Sequence, residues 1–206
     1  MTKTLRIAAL SGAALIPLTG AAAIAQAATE PAAVPAGTYA IEPSHTRVLF
    51  SLNHMGFSTW YGDFTGAKGS LTLDPKAPAA SKVEVTLPTA SVSTTNATLD
   101  GELKGADWLD AGKYPTITFV STKVVPTGAD TAKVTGDLTL HGVTKPVTLD
   151  VKFHGAGANP MTKAFTVGFD AHGALKRSEF GVTKYVPLVG DEVEITISAP
   201  FEKKAG

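Results

Sequence analysis

The sequence predicts an all-β domain of about eight antiparallel strands, closed as an up-and-down barrel or stacked as a sandwich, with one short α-helix. Three features carry that expectation. Apolar residues recur at every second position from Thr38 onward, turn-forming residues punctuate the runs, and a single stretch switches to spacings of three and four. The 206 residues include 20 glycines and 13 prolines, a density of chain breakers that suits many short strands.

The strand signals come in chain order. Val48, Phe50 and Leu52 share one parity against Arg47, Ser51 and Asn53, with Leu49 the exception. The same alternation marks Val83, Val85 and Leu87, then Ile117 and Phe119, then Val134, Leu138 and Leu140. It returns at Val147, Leu149, Val151 and Phe153, at Phe165, Val167 and Phe169, and at Val193, Ile195 and Ile197. One apolar face per strand is the pattern of an antiparallel sheet with one buried side. Turns are expected at Asp74-Pro75, Gly128 to Asp130, His141-Gly142, Gly155 to Pro160 and Val189 to Asp191. Closure into a barrel would remove the exposed edges of a secreted β protein.

Between Thr95 and Tyr114 the apolar residues Leu99, Leu103 and Ala106 recur at helical spacing. Asp100 and Glu102 would lie near the helix start, where carboxylates suit the dipole. The spacing predicts a helix from about Ala97 to Leu109, with Trp108 and Leu109 at its exit. Gly101 and Gly105 weaken it, so it must lean on the barrel, where it could cap one mouth.

Ahead of these elements, Lys3 and Arg6 precede an uncharged run from Ile7 to Thr29 that ends in Ala23-Ile24-Ala25 and Ala25-Gln26-Ala27. A basic start, an apolar middle and small residues at the exit make a secretory signal peptide, residues 1–27, cleaved after Ala27. No twin arginine is present, so export in an unfolded state is expected. Residues 28–36 read as a flexible leader and 37–203 as the barrel.

Eighteen basic and eighteen acidic residues cancel, and losing Lys3 and Arg6 would leave the mature chain slightly acidic. Recognition of nucleic acid through phosphate neutralisation is therefore not expected. The absence of cysteine excludes disulfides, thiolate chemistry and a lipidated N-terminal cysteine. No nucleophile elbow, zinc-protease motif, P-loop or dinucleotide fingerprint occurs, and no cofactor is expected. Of the five histidines, His45 and His54 stand nine apart and would face opposite ways on a regular strand. His141 falls in a turn, and His154 and His172 lie near strand ends.

The remaining candidates are aromatic. Phe50, Phe57, Trp60, Tyr61, Phe64, Trp108, Phe119, Phe165, Phe169 and Phe180 could fill a core or line one interior. Phe57, Trp60, Tyr61 and Phe64 crowd beside Gly56 and Gly62, where bulky rings next to glycines can form the mouth of an apolar pocket. Besides Arg6, the arginines are Arg47 and Arg177. Arg177, with Lys176 and Ser178, is a candidate for holding a polar head group, since a guanidinium pairs well with phosphate oxygens.

The segments IEPSHTRVLFSLNHMGFSTWYGDFTGAKGSLTLD, LKGADWLDAGKYPTITF, VTGDLTLHGVTKPVTLDV and LKRSEFGV together resemble the YceI family, secreted bacterial proteins described as polyisoprenoid-binding and lipocalin-like. The likeness runs from Gly37 to about Phe201. It implies an eight-stranded antiparallel up-and-down barrel with a helix, an apolar tunnel holding a long isoprenoid or fatty chain, and often a homodimer. Within the matching motifs His45, Phe50, His54, Gly56 and Gly62 fall in the first block, and Arg177, Ser178, Phe180 and Gly181 in the last. The sequence departs from the pattern at Thr46 and Glu179, where serine and aspartate are usual. The helix reads Glu102-Leu103-Lys104-Gly105 where the family usually has His-Leu-Arg-Ser. That change favours a quinone or neutral lipid over a diphosphate.

The resulting expectation is a periplasmic, non-enzymatic carrier of one long apolar lipid, with transient membrane contact. The ligand-binding residues expected are His45, Phe50, His54, Phe57, Trp60, Phe64, Trp108, Phe119, Phe165, Phe169, Arg177, Ser178 and Phe180. The alternatives are a lipid-directed hydrolase or isomerase using Ser44 or Ser178, and an envelope stress protein with a solidly packed core.

Overall fold

A computed structural model describes residues 30–204 of the chain. The expected signal peptide lies outside the described residues. In chain order the strands are β1 (Gly37–Ile41), β2 (Arg47–His54), β3 (Ser58–Phe64), β4 (Lys68–Leu73), β5 (Lys82–Pro88), β6 (Thr116–Pro126), β7 (Thr131–Leu140), β8 (Val143–Ala158), β9 (Phe165–Lys176) and β10 (Glu192–Lys203), and α1 (Ala97–Lys104) lies between β5 and β6.

These segments make eight walls. β10 pairs with β1 through Ile41 and Phe201, then with β2 through Arg47 and Ser198, so β1 and β2 are two legs of one strand. β3 and β4 form the next wall the same way, β3 on β2 and β4 on β1. The ring then runs β4 to β10 in chain order, every pair antiparallel, and β10 closes it on β1. This is the closed up-and-down barrel that the resemblance implied.

The break between β1 and β2 is self-contained. The Glu42 carboxylate accepts from the Ser44 and His45 amides, both at 2.9 Å, and the Thr46 hydroxyl donates to the Glu42 carbonyl at 2.7 Å. The extra residues thus satisfy their own polar groups and leave the flanking ladders in register. The β7–β8 connection is the two-residue turn His141-Gly142, with φ of 51° and 75°, the left-handed pair that a tight hairpin demands.

Three expectations are corrected. The helix stops at Lys104, because Gly105 leaves helical geometry (ψ 167°) and its amide turns back to the Glu102 carbonyl; Trp108 and Leu109 follow in turns, the Leu109 amide reaching the Leu103 carbonyl. The expected turn at Gly155 to Pro160 starts later. β8 continues through Gly155 and Gly157 to Ala158, absorbing a register shift after Phe153. Within the expected leader, Pro31–Ala33 form a 3-10 turn and Val34 is buried in the cluster that also holds Tyr39, Phe153, Val167 and Phe201. The Tyr39 hydroxyl donates to the Pro35 carbonyl at 2.5 Å and ties this segment to β1.

Candidate functional site

The barrel is hollow. A cavity of about 370 Å³ runs along its interior. Its wall is built from the inward parity of the strands: Val48, Phe50 and Leu52 of β2, Val83, Val85 and Leu87 of β5, Leu138 and Leu140 of β7, Val147, Leu149 and Val151 of β8, and Val193, Ile195 and Ile197 of β10. Phe50, Phe119, Val85, Ile195 and Ile197 border the lumen yet are only half-buried, because the space in front of them is not filled by other side chains. The few polar lining residues are Thr46, Ser81, Lys82, Thr118 and Arg177. Such a lining offers dispersion and removal from water, with little to grip a charge.

One end is sealed. Trp108, Val182 and Val189 form a buried cluster against Leu52 and Leu103, so α1 and its following turn close this mouth together with the 181–190 loop. Local bonds hold α1 in place. The Asn96 side chain accepts from the Thr98 and Leu99 amides, capping the helix. The Asp100 carboxylate accepts from the Thr94 amide at 2.6 Å and its hydroxyl at 2.7 Å; those bonds, the hydroxyl's foremost, pull its pKa below the ordinary aspartate range. At the β4–β5 connection the lining includes Pro78 and Lys82, both exposed, so the cavity reaches the surface there.

Six of the thirteen expected ligand-binding residues line the cavity: Phe50, Phe64, Trp108, Phe119, Phe169 and Arg177. The other seven lie elsewhere. His45 sits in the exposed loop before β2 with Nδ1 2.6 Å from Glu42 Oε2. His54 lies against Trp60, the rings tilted at 45° with centroids 5.9 Å apart. Phe57 is 89% exposed at the β2–β3 hairpin tip, where Met55 and Gly56 take positive φ and turn it away from the barrel. Trp60 stays on the β3 wall opposite Leu52. Phe165 packs into the far-end cluster. Phe180 is buried in its own cluster with Val147, Leu149 and Ala171, and its carbonyl accepts from His141 Nδ1 at 3.1 Å.

Ser178 and Arg177 are engaged by the protein itself. The Ser178 amide and hydroxyl donate to the two Asp191 carboxylate oxygens at 2.9 and 2.8 Å. Arg177 is 4% exposed. Its Nε donates to the Gly190 carbonyl at 2.9 Å, and its two terminal nitrogens to the Val182 carbonyl at 2.9 Å and the Val189 carbonyl at 2.8 Å. Burial lowers the Arg177 pKa while Asp191 opposes the shift, and a guanidinium keeps its charge through such a change. Three of its donors are thus committed to backbone carbonyls, through which Arg177 ties down the loop that closes the barrel. Most of the lining is the aliphatic wall, at positions that the strands' period of two also marks.

The model of the YceI-like domain matches residues 39–201, all but the outermost residues of the barrel. The chain belongs to this family. YceI of Escherichia coli O157:H7 is 44% identical over 157 residues, 76% of this chain and 81% of that protein. A UPF0312 protein of Ectopseudomonas mendocina is 43% identical over 165 residues, 79% of this chain and 86% of its own. Among solved structures, BcnA of Burkholderia cenocepacia aligns with a TM-score of 0.70 at 29% identity, covering 78% of this chain and 98% of that one. A polyisoprenoid binding domain from Saccharophagus degradans shares the fold at a TM-score of 0.63 and 13% identity, over 81% of this chain and 98% of its own.

Proposed function

We propose that this YceI-like protein is a periplasmic carrier that holds one long-chain apolar lipid in its lumen, a polyisoprenoid, an isoprenoid quinone or a fatty-acid derivative, and that does no chemistry on it. The observation that carries this reading is the cavity lining, aliphatic and aromatic along nearly its whole length. The description of the Saccharophagus degradans neighbour as polyisoprenoid-binding supports the same class of guest.

The energetics are adequate. Burying a methylene-sized group is worth roughly 0.8 kcal/mol, but the lipid's alternative is a membrane and not water. The carrier needs only near parity with the bilayer, which a tunnel of leucine, valine and phenylalanine supplies. Because Arg177 is occupied by backbone carbonyls, the reading favours a neutral head group. Export through the signal peptide at residues 1–27 would place the carrier beside its source. Met55, Phe57, Tyr185 and Leu188, all exposed, offer apolar contact for a transient meeting with the membrane, the Met55 amide being bonded to the Leu188 carbonyl at 2.9 Å.

The test is fractionation of the native host followed by solvent extraction of the protein purified without detergent. A periplasmic chain beginning at Ala28, carrying an extractable long-chain lipid with an uncharged head, is the expected result. Protein confined to the cytoplasm and free of such lipid would overturn the proposal.

A further inference from the structure

Three inward-facing positions of the barrel wall carry glycine. Gly62 lies two residues before Phe64 on β3, Gly136 between Val134 and Leu138 on β7, and Gly173 between Ala171 and Leu175 on β9, and these neighbours line the cavity. None of the three is among the glycines at positive φ, which are Gly37, Gly56, Gly66, Gly142 and Gly181 among the described residues. Backbone conformation therefore does not require glycine at these sites. Space does.

Each vacancy is filled by a large side chain from the adjoining strand. A Cβ on Gly62 would lie 2.4 Å from Phe50 Cζ, one on Gly136 2.5 Å from Phe119 Cζ, and one on Gly173 2.7 Å from Leu149 Cδ2. Phe50 stands directly across the ladder from Gly62, while Phe119 pairs with Leu138 and reaches Gly136 diagonally. The tips of both rings thus occupy the places where wall side chains would begin. A phenylalanine on an inward strand position otherwise projects toward the axis. Here the missing side chain lets the ring lie back across its neighbour, and the lumen in front stays clear.

We propose that Gly62 and Gly136 are specificity-determining residues that set the longest chain the lumen accepts, by giving Phe50 and Phe119 a recess in the wall. The proposal rests on the lipid-carrier reading. Adding even one methyl at Gly62 evicts the Phe50 ring. The ring then moves into the bore, toward Phe64, whose centroid is already 5.7 Å away. A narrowed bore stops a long chain partway and leaves a short one room on the open side. Gly62 is the cleaner site to test, because a Cβ on Gly136 would also press the Val120 backbone oxygen at 2.6 Å, whereas the nearest backbone atom at Gly62 is the Ser93 oxygen at 3.0 Å.

The experiment titrates delipidated full-length mature protein with decanol, farnesol, geranylgeraniol and a longer polyprenol, for the wild type, Gly62→Ala, and Gly62→Ala combined with Phe50→Leu. Gly62→Ala is expected to lose about tenfold or more in affinity for the long alcohols while holding decanol within about twofold. The double variant, with the ring removed, is expected to recover the long ones. Undiminished binding of long alcohols by Gly62→Ala, beside a wild type that binds them, would overturn the inference and leave the carrier reading intact. Equal loss of short and long alcohols, or no recovery in the double variant, would also overturn it. A wild type that binds no alcohol of any length would sink the carrier reading itself.

Discussion

The Arg177 guanidinium lies over the Trp108 ring, its central carbon 5.2 Å from the ring centroid. That contact joins the closing helix segment to the closing loop, since the same guanidinium donates to carbonyls at Val182, Val189 and Gly190. A cation over an indole face is favourable on its own, and buried carbonyls left without donors are costly. The sealed end of the barrel therefore depends on one buried cation.

Arg177→Ala should destabilise the fold by roughly 3–5 kcal/mol, the range for removing one partner from a buried charged network. Arg177→Lys should recover only part, because an ammonium cannot serve three carbonyls in a fixed fork. Chemical denaturation measures both. If the residue is structural, affinities for neutral and anionic lipids fall together. A selective loss of anionic guests would restore the head-group role.

Trp108→Ala should cost about 3 kcal/mol, the low end for a buried tryptophan, because the residue already borders the cavity. Thermal unfolding of the variant checks this. A loss below about 0.5 kcal/mol, the level of an ordinary surface change, would mean that the helix end is not sealed by this ring.

Phe57→Ser provides the contrast. With the ring 89% exposed, stability should change by no more than about 0.5 kcal/mol, and lumen affinity for a soluble farnesol probe should be unchanged. A marked fall in that affinity would place the ring against the guest.

Acid should loosen the closing loop. The Asp191 carboxylate accepts from the Ser178 amide and hydroxyl, the amide bond being the main cause of a pKa below the ordinary aspartate range. A carboxyl depressed by folding contributes stability that is fully present above its unfolded pKa and is lost as pH falls through the folded one. The melting temperature of the wild type should therefore exceed that of Asp191→Asn at neutral pH, and the gap should close below the ordinary carboxylate range. A gap that does not vary with pH would exclude this linkage.

Much of the wall was legible because a strand's period of two is written in side chains: Val48, Phe50 and Leu52, or Val193, Ile195 and Ile197, name their own inward face. The helix end was less legible. Leu99, Leu103 and Ala106 keep helical spacing past Gly105, and spacing alone does not show that the Gly105 amide turns back to Glu102. The partners of Arg177 are hidden for a related reason, since they are backbone carbonyls, which every residue carries and no sequence pattern marks. Phe57 sits beside a hairpin tip, and the Met55-Gly56 turn decided its side, not its hydrophobicity. Gly136 reads as an ordinary strand glycine and Gly62 as part of a pocket mouth until the rings lying over them are seen.

The most direct test of the account is native mass spectrometry of the delipidated, folded protein titrated with geranylgeraniol. Saturation at one molecule per chain is the predicted result. Folded protein that stays free of lipid at every ratio would contradict the account, because a hollow apolar lumen in water should not refuse such a guest.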